Sequence, residues 1–188
     1  MVYEKDIIGK FVTLRSITID DAEFSYCLRK DPRFIDIMGQ PAESVEAQKK
    51  YIEWQRNEPG DYYFVVLNKI GERIGLIGVY NIQGDTCEFG RELNIGEPYE
   101  TMEAEILNLD FARGVLGIKN SKSIIYKHNY KQFNMLKKRG ESKITEIIHN
   151  GIPSYLMETT TEEINVGLES ARKMIDKLAK KMTVDNLN

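Results

Sequence analysis

Three strand-like segments, separated only by short turns, constrain the fold more than any other feature of this sequence. Residues 62–67 (YYFVVL) are almost continuously apolar, and residues 73–82 (RIGLIGVYNI) and 86–94 (TCEFGRELN) follow closely. The intervening turns are too short for the crossover connection that a parallel pair of strands requires. The sequence therefore predicts an antiparallel meander, with the apolar first segment in a central, buried position.

Four further segments have strand patterns. Residues 10–17 alternate polar and apolar side chains, residues 123–126 (SIIY) form a short apolar run, and runs at 143–149 and 155–161 flank the Asn-Gly pair at 150–151. Asn-Gly between two such runs is the strongest short-range signal for a hairpin. Together with the meander, these segments predict a sheet of about six or seven strands.

Five segments have the apolar spacing of amphipathic helices. They extend from Thr18 or Asp20 to Asp31, from Ser44 to Glu58, and over residues 101–116, 130–139 and 162–182. Gly117 and Gly140 are the expected stops of the third and fourth helices. This order predicts an α+β fold with one mixed, mostly antiparallel central sheet flanked by helices. We expect a single domain over residues 1–188, in which residues 162–188 form an extra C-terminal helical extension.

Composition and charge exclude several classes of function. The 188 residues include 26 lysines and arginines against 29 aspartates and glutamates, unlike a protein that coats nucleic acid. Two cysteines provide no disulfide framework, and two histidines provide no multi-histidine metal site, so no metal is expected. The sequence has neither a leader-like start nor an apolar stretch of about 18 residues. We therefore expect a cytoplasmic protein that binds neither membranes nor nucleic acid.

Five stretches, in a fixed order, carry a resemblance to one superfamily. They are the opening GKFVTLRSITIDDA, the strands RIGLIGVYNI and TCEFGREL, the segment HNYKQFNMLKKRG and the ending HNGIPSYLMETTTEE. Residues 9–163 thus resemble the GNAT superfamily of acyl-CoA-dependent N-acyltransferases, closest to the branch of ribosomal-protein alanine, spermidine and amino-sugar acetyltransferases. The resemblance implies acetyl-CoA as co-substrate and a primary amine as acceptor, in a small molecule such as an amino sugar or at a protein N-terminus.

The resemblance places the catalytic base on the strand TCEFGREL. Glu88 stands where the relatives carry the glutamate that accepts the proton of the ammonium group, and Glu92 is the fallback. Strict alternation puts these two carboxylates on one face of the strand, opposite Arg91 and Leu93. The alternative is that both carboxylates are half-exposed sheet residues paired with basic neighbours.

The resemblance also implies where the co-substrate binds. The corresponding backbone groups belong to Leu93, Asn94 and Ile95 for the pantetheine arm, and to Thr101 and Met102 at the N-terminus of the long helix for the diphosphate. Asn129 matches an asparagine that contacts the co-substrate. It can equally serve as the N-cap of the following helix.

One family motif, Q/R-x-x-G-x-G/A, is missing from the diphosphate loop. The corresponding segment contains Glu97, Pro98 and Tyr99, where glycines usually allow close approach of the phosphates. With Glu100 and Glu103 close by, this loop is expected to repel a polyanion. The alternative function is therefore a GNAT-fold binding module that no longer uses acetyl-CoA.

The acceptor site and the general acid are the least specified parts. Arg91 and Trp54 are the candidate acceptor-binding residues, the alternatives being a surface arginine and an aromatic stripe in the core. Leu136 stands where many relatives carry the tyrosine that protonates the leaving thiolate. The remaining proton donors are water or the side chains of Tyr126, Tyr130 and His128. A homodimer is compatible with the sequence.

Charge is distributed unevenly around the expected site. Residues 85–105 contain seven acidic residues and one arginine, whereas residues 119–143 contain eight basic residues and one glutamate. In the resembling fold these two segments flank the co-substrate cleft. We therefore expect the basic segment to attract phosphates and the acidic segment to suit a cationic amine.

Overall fold

The computed structural model describes residues 1–35, 41–139 and 143–185. Within these ranges the strands are β1 Ile7–Ile8, β2 Val12–Ser16, β3 Tyr62–Asn68, β4 Arg73–Gln83, β5 Thr86–Asn94, β6 Asn120–Tyr126, β7 Lys143–His149 and β8 Ile152–Thr160. The α-helices are α1 Ala22–Arg29, α2 Val45–Asn57, α3 Pro98–Gly114, α4 Tyr130–Arg139, α5 Thr161–Gly167 and α6 Glu169–Asp185. No helix in the described part of the chain is long and apolar enough to cross a membrane. The predicted stop at Gly140 lies outside the described residues.

These strands form one mixed sheet in the order β1-β2-β3-β4-β5-β6-β8-β7. Neighbouring strands are antiparallel except β5 and β6, which run parallel. The predicted α+β fold with a mostly antiparallel sheet is thereby confirmed. The strand that the prediction lacks is β1, whose two residues are too few to show a periodic pattern.

The predicted meander and hairpin are both present. Strands β3, β4 and β5 pair in sequence order. Strands β7 and β8 are joined by Asn150 and Gly151, whose φ angles are 51° and 77°. Positive φ at both positions is the geometry of the two-residue turn that matches the twist of a hairpin.

Two predicted helix boundaries are wrong. The long helix begins at Pro98 instead of Thr101, because proline fits the first helical position and Glu97 precedes it as the N-cap. The tail consists of two helices instead of one, since α5 ends at Gly167 and the buried Leu168 separates it from α6. Glycine is a poor helix former, and burial of the leucine side chain stabilises the break.

Helices cover both faces of the sheet. Helices α3 and α6 pack on one face, where the sheet contributes Phe64 and Val79 to the core. Helices α1 and α2 pack on the other face against Val65 and Leu76. We call these faces the α3 side and the α1 side.

A buried carboxylate anchors α3 to the sheet. Glu103, 3% exposed, accepts hydrogen bonds from the backbone N–H groups of Lys10, Phe11 and Val12 at 2.7, 2.5 and 2.9 Å. Hydrogen bonds to an ionised acceptor are among the strong ones, so they hold the helix against β2. Glu103 therefore faces the core, and the expectation that it adds to anion repulsion at the preceding loop is wrong.

Candidate active site

The parallel strands β5 and β6 separate part-way along β5. Their pairing joins Thr86 to Asn120, Cys87 to Ser121 and Glu88 to Lys122, and it ends there. Beyond this point β5 remains paired with β4, whereas β6 remains paired with β8 as far as Tyr126. The sheet therefore has a V-shaped gap between β5 and β6, and the diverging edges of these strands form its walls.

A β-bulge in β5 lies beside this gap. The register shifts between Gly90 and Leu93, where two residues of β5 stand opposite one residue of β4. The first of the two, Arg91, has φ 52°, a left-handed conformation that such bulges accommodate. Because an extra residue reverses the alternation of side chains, Arg91 and Leu93 lie on the α1 side, and Glu92 reaches the α3 side. The predicted faces of β5 are therefore wrong beyond Gly90.

A cavity of about 90 Å³ lies on the α3 side of the gap, and we call it the α3-side cavity. Side chains from β5, α3 and α4 contribute to its walls, among them Phe89, Glu92, Asn108, Gln132 and Leu136. Leu136, which replaces the tyrosine of many relatives, provides an apolar wall here.

A second cavity of about 320 Å³, the α1-side cavity, lies on the opposite face. Its wall residues include Arg29, Tyr80, Glu88, Arg91, Tyr126 and His149. Both cavities share the wall residues Phe89, Gly90, Glu92, Ser123 and Gln132. The cavities therefore meet at the same wall residues, on opposite sides of the gap.

Glu88 lines the α1-side cavity at the point where β5 and β6 part. Its Oε1 accepts a hydrogen bond from Asn81 Nδ2 at 3.0 Å. Tyr80 is its cross-strand partner, and burial together with the Glu88 charge raises the pKa of the Tyr80 hydroxyl to about 12. Tyr80 is therefore protonated at neutral pH, and an amide donor holds the Glu88 carboxylate at the cavity wall.

Arg91 is bound by a buried carboxylate on the α1 side. Its Nη1 and Nη2 donate to Oδ1 and Oδ2 of Asp61 at 2.6 and 2.7 Å, and Gln55 Nε2 donates to the same carboxylate at 3.0 Å. The guanidinium lies over the Tyr80 ring, 4.1 Å from the centroid. This bidentate pair and the ring contact restrain the left-handed bulge. Two nitrogens of Arg91, a predicted acceptor-binding residue, are thus bonded to Asp61.

Leu93, Asn94 and Ile95, predicted to hold the pantetheine arm, all have partners within the protein. Leu93 is fully buried in the α1-side core. Oδ1 of Asn94 accepts the N–H of Gly96 at 2.8 Å, and the N–H of Ile95 donates to the carbonyl of Ile74 at 2.8 Å. The β5 residues that line both cavities come earlier in the strand.

The loop between β5 and α3, which includes the predicted diphosphate site, satisfies N–H groups of its own backbone. The Glu97 N–H donates to Oε2 of Glu100 at 2.8 Å, and Pro98, the first residue of the helix, has no N–H. The N–H of Thr101 donates to the Glu97 carbonyl at 3.1 Å, and Met102 packs against the α3-side core. A carboxylate therefore lies where a helix N-terminus otherwise attracts an external anion.

Asn129 and Trp54, the two remaining predicted site residues, lie in different parts of the structure. Asn129 lines the α1-side cavity and caps α4, since its Oδ1 accepts the N–H of Gln132 at 3.3 Å. Trp54 is 52% exposed on α2 beside Tyr51 and is not a wall residue of either cavity. Glu88 and Asn129 thus share one cavity, whereas Trp54 lies apart from it.

Ion pairs reduce the charge of the predicted basic segment. Lys122, Lys127 and Lys143 contact glutamates of β7 and β8 at distances between 2.6 and 3.8 Å. Exposed lysines of this segment also occur on α4, at positions 131, 137 and 138. Positive charge is therefore available on α4, next to the wall of the α3-side cavity.

Three residues on the α1 side have no functional signal in the sequence. Arg29 ends α1, Asp61 precedes β3, and Tyr80 lies within β4, so no local pattern connects them. The Pro-Gly pair before Asp61 indicates a turn, but it gives no reason for a buried carboxylate. The tertiary fold places Asp61 and Tyr80 against Arg91 and brings Arg29 to the wall of the same cavity.

Comparisons with known proteins agree with this architecture. Residues 12–141, more than half of the chain, match the model of the acetyltransferase (GNAT) domain. The chain belongs to the GNAT acetyltransferase family. The resemblance predicted from the sequence motifs is thereby confirmed, and membership of this family supports the predicted acetyltransferase activity. A search of curated proteins finds no significant match.

Solved GNAT structures share the fold at low sequence identity. A GCN5-related N-acetyltransferase from Brucella melitensis has a TM-score of 0.74 at 14% identity, covering 92% of this chain and 86% of that one. Apo FdhC, a nucleotide-linked sugar GNAT, has a TM-score of 0.74 at 16% identity, with 93% and 99% covered. Spermidine N-acetyltransferase from Vibrio cholerae, in complex with CoA and spermine, has a TM-score of 0.68 at 16% identity, with 83% and 99% covered.

Proposed function

We propose that this chain is a single acetyltransferase domain that transfers an acetyl group from acetyl-CoA to a primary amine of a small molecule. The observation that carries the proposal is the gap between β5 and β6, where the α3-side and α1-side cavities meet. In this arrangement the acetyl donor enters from the α3 side and the amine from the α1 side. The reacting groups then meet beside Phe89 and Gly90.

Glu88 is the proposed general base. An amine attacks a thioester only when it is neutral, so a carboxylate at the reaction site must accept the ammonium proton, directly or through one water. Glu88 lies on the wall of the α1-side cavity at the apex of the gap, and Glu92 lies on the wall of both cavities. Glu92 is the second candidate for the same role.

Backbone groups of β5 are the proposed contacts of the pantetheine arm. Acetyl-CoA supplies an activated acyl group with a thiol as leaving group. The edge of β5 beyond Glu88 is no longer paired with β6, so its peptide groups face the gap and are available to the arm's amides. A backbone N–H at this edge can also stabilise the negative charge that develops on the carbonyl oxygen.

The diphosphate of acetyl-CoA fits the loop between β5 and α3 less well. Its N–H groups at Gly96 and Glu97 already donate to Asn94 and Glu100. A diphosphate must displace the Glu100 carboxylate to reach them, and like charges at this distance repel. The exposed lysines of α4 are the alternative source of positive charge.

Substitution of Glu88 tests the proposed enzyme directly. Glu88→Gln keeps the size of the side chain and removes its basicity, so kcat at neutral pH should fall by at least about 100-fold. Release of free CoA with a responsive amine measures the rate, and the acidic limb of the pH–rate profile should disappear. Glu72→Gln, in the exposed turn between β3 and β4, is the matched control. An unchanged pH–rate profile in Glu88→Gln contradicts the assigned role.

A second function, a GNAT-fold module that binds a metabolite without acyl transfer, is favoured by the carboxylate at the start of α3. Calorimetric titration with acetyl-CoA separates the two functions. Binding in the micromolar range supports the enzyme, whereas the absence of heat at millimolar acetyl-CoA supports the module. The same titration with the acceptor alone shows whether the α1-side cavity binds ligands by itself.

A further inference from the structure

Arg29 differs from the other arginines whose side chains the structure describes. Each of six of these forms an ion pair with an aspartate or glutamate: Arg15, Arg33, Arg73, Arg91, Arg113 and Arg172. Arg56 donates to the backbone carbonyl of Ile17. Arg29 forms no ion pair within the described residues, and its Nη1 is buried without a hydrogen-bond partner.

The surroundings of Arg29 do not neutralise its charge. The hydroxyl of Tyr63 lies close by, and it is itself buried without a well-formed hydrogen bond. Burial raises the pKa of Tyr63, and the positive charges of Arg29 and Arg91 oppose this rise. Both oxygens of the buried Asp61 carboxylate are bonded to Arg91. Within the described residues, no ion pair therefore neutralises Arg29, whose Nη1 is buried at the wall of the α1-side cavity.

The position of Arg29 at the end of α1 does not by itself explain why its Nη1 is buried without a hydrogen-bond partner. The C-terminus of a helix favours a cation in its last turn, but that interaction is satisfied by an exposed side chain. A guanidinium nitrogen that is buried without an acceptor loses the hydrogen bonds that it makes in water. Such unsatisfied groups in a native protein call for an explanation, and a ligand that supplies the acceptor is one.

We propose that Arg29 binds an anionic group of the acceptor, so that the acceptor is an amine that also carries a carboxylate or a phosphate. This inference rests on the proposed acetyl transfer in the α1-side cavity. Guanidinium presents paired donors that match both anions, and the volume of about 320 Å³ suits a small ligand. The cavity then has two poles, with Glu88 at the gap for the amine and Arg29 on α1 for the anion.

The two poles disfavour a purely cationic acceptor. A polyamine would bring further positive charge next to Arg29, whose Nη1 is buried without a hydrogen-bond partner. A zwitterionic or phosphorylated amine instead places charges of opposite sign at both ends of the cavity. The proposed acceptor class therefore differs from that of the spermidine acetyltransferase that shares the fold.

Matched acceptor pairs test this inference. Glucosamine 6-phosphate is compared with glucosamine, β-alanine with β-alaninamide, and spermidine serves as the cationic acceptor. In the unmodified enzyme, kcat/KM should be at least about 10-fold higher for the anionic member of one pair, and the pair that responds identifies phosphate or carboxylate as the anion. Equal or higher kcat/KM for spermidine and for the members without an anionic group overturns the inference while leaving acetyl transfer intact.

Variants at Arg29 provide the second test. Arg29→Gln should raise KM for the acceptor with the anionic group by about 10- to 100-fold, change kcat little, and leave the member of the pair that lacks this group unaffected. Arg29→Lys should recover part of the loss, because it keeps the charge but not the planar donor pair. Arg33→Gln, on the exposed pair with Asp31, is the control. An equal loss for acceptors with and without the anionic group contradicts anion binding.

A binding measurement separates this inference from the proposed activity. Glucosamine 6-phosphate or β-alanine is titrated calorimetrically into the protein and into Arg29→Gln without acetyl-CoA. Binding that Arg29→Gln abolishes supports the anion site even if no amine is acetylated, in which case only the proposed function fails. Binding of equal strength to both proteins, or to neither, overturns the anion site.

Discussion

The two sides of the gap between β5 and β6 differ in whether their hydrogen-bond donors are satisfied within the protein. On the α3 side, the loop before α3 presents N–H groups to an anion but fills them with its own Asn94 and Glu100 oxygens. On the α1 side, Asp61 neutralises one buried guanidinium, whereas Arg29 forms no ion pair within the described residues and its Nη1 is buried without a hydrogen-bond partner. Donors that are satisfied internally resist a ligand, whereas an unsatisfied donor favours one. Under the proposed function, this contrast predicts weak electrostatic selection of the co-substrate and strong electrostatic selection of the acceptor.

A single β-bulge in β5 places Arg91 and Glu92 on opposite sides of the sheet. Without the extra residue in β5, Glu92 would share the face of Glu88, and Arg91 would point toward α3. The bulge turns Arg91 toward Asp61 and Tyr80, and it directs Glu92 into the α3-side cavity. The charges at the two mouths of the gap therefore depend on the local backbone at Arg91.

Removal of Asp61 should have the largest effect on the α1 side. Asp61→Ala leaves the Arg91 guanidinium buried and unpaired, which destabilises a protein by about 3–5 kcal/mol. Urea-induced unfolding measures the loss. The control Glu46→Ala breaks the exposed pair with Lys49 and should change stability by less than about 1 kcal/mol. A loss below that value in Asp61→Ala would mean that the pair does not hold the bulge.

A double variant refines this test. Asp61→Ala combined with Arg91→Met removes both charges, so the penalty of an unpaired buried guanidinium disappears. Stability should recover in part relative to Asp61→Ala alone. Acceptor KM should remain impaired, because the bulge loses its restraint from Asp61 and Tyr80. Full recovery of both quantities would show that the ion pair has no role in shaping the cavity.

A methyl group at Gly90 should have an intermediate effect. A Cβ at this position lies 2.6 Å from the Tyr80 hydroxyl, which is too close for a normal contact. Gly90→Ala must therefore displace Tyr80 from Arg91, and we expect a destabilisation of about 1–3 kcal/mol with a higher acceptor KM. Gly114→Ala, where a Cβ meets no atom within 4 Å, is the control. Unchanged unfolding and kinetics in Gly90→Ala would show that the Tyr80 contact is dispensable.

The strands and the hairpin were predictable because their signals are local. Alternating or continuous apolar runs and the Asn150-Gly151 turn depend on neighbouring residues alone. The bulge at Arg91 depends on the register of β5 against β4, which no pattern within β5 contains. The predicted faces of β5 are therefore wrong beyond Gly90. No pattern in the sequence associates Arg29, Asp61 and Tyr80 either. Pro98 marks the start of α3 because proline is favoured at the first helical position, whereas the apolar spacing indicates a helix only from Thr101.

Neutralisation of Glu100 should have the smallest effect, and it should improve ligand binding instead of impairing it. Glu100→Gln removes a negative charge at the N-terminus of α3 and weakens the bond to the Glu97 N–H, so acetyl-CoA should bind about 3- to 10-fold more tightly by calorimetry. Glu97→Gln removes the same charge but leaves that N–H bonded to Glu100. Tighter binding in both variants indicates charge repulsion alone, whereas tighter binding in Glu100→Gln alone indicates release of the N–H. Weaker binding in Glu100→Gln contradicts the assigned contrast between the two sides of the gap.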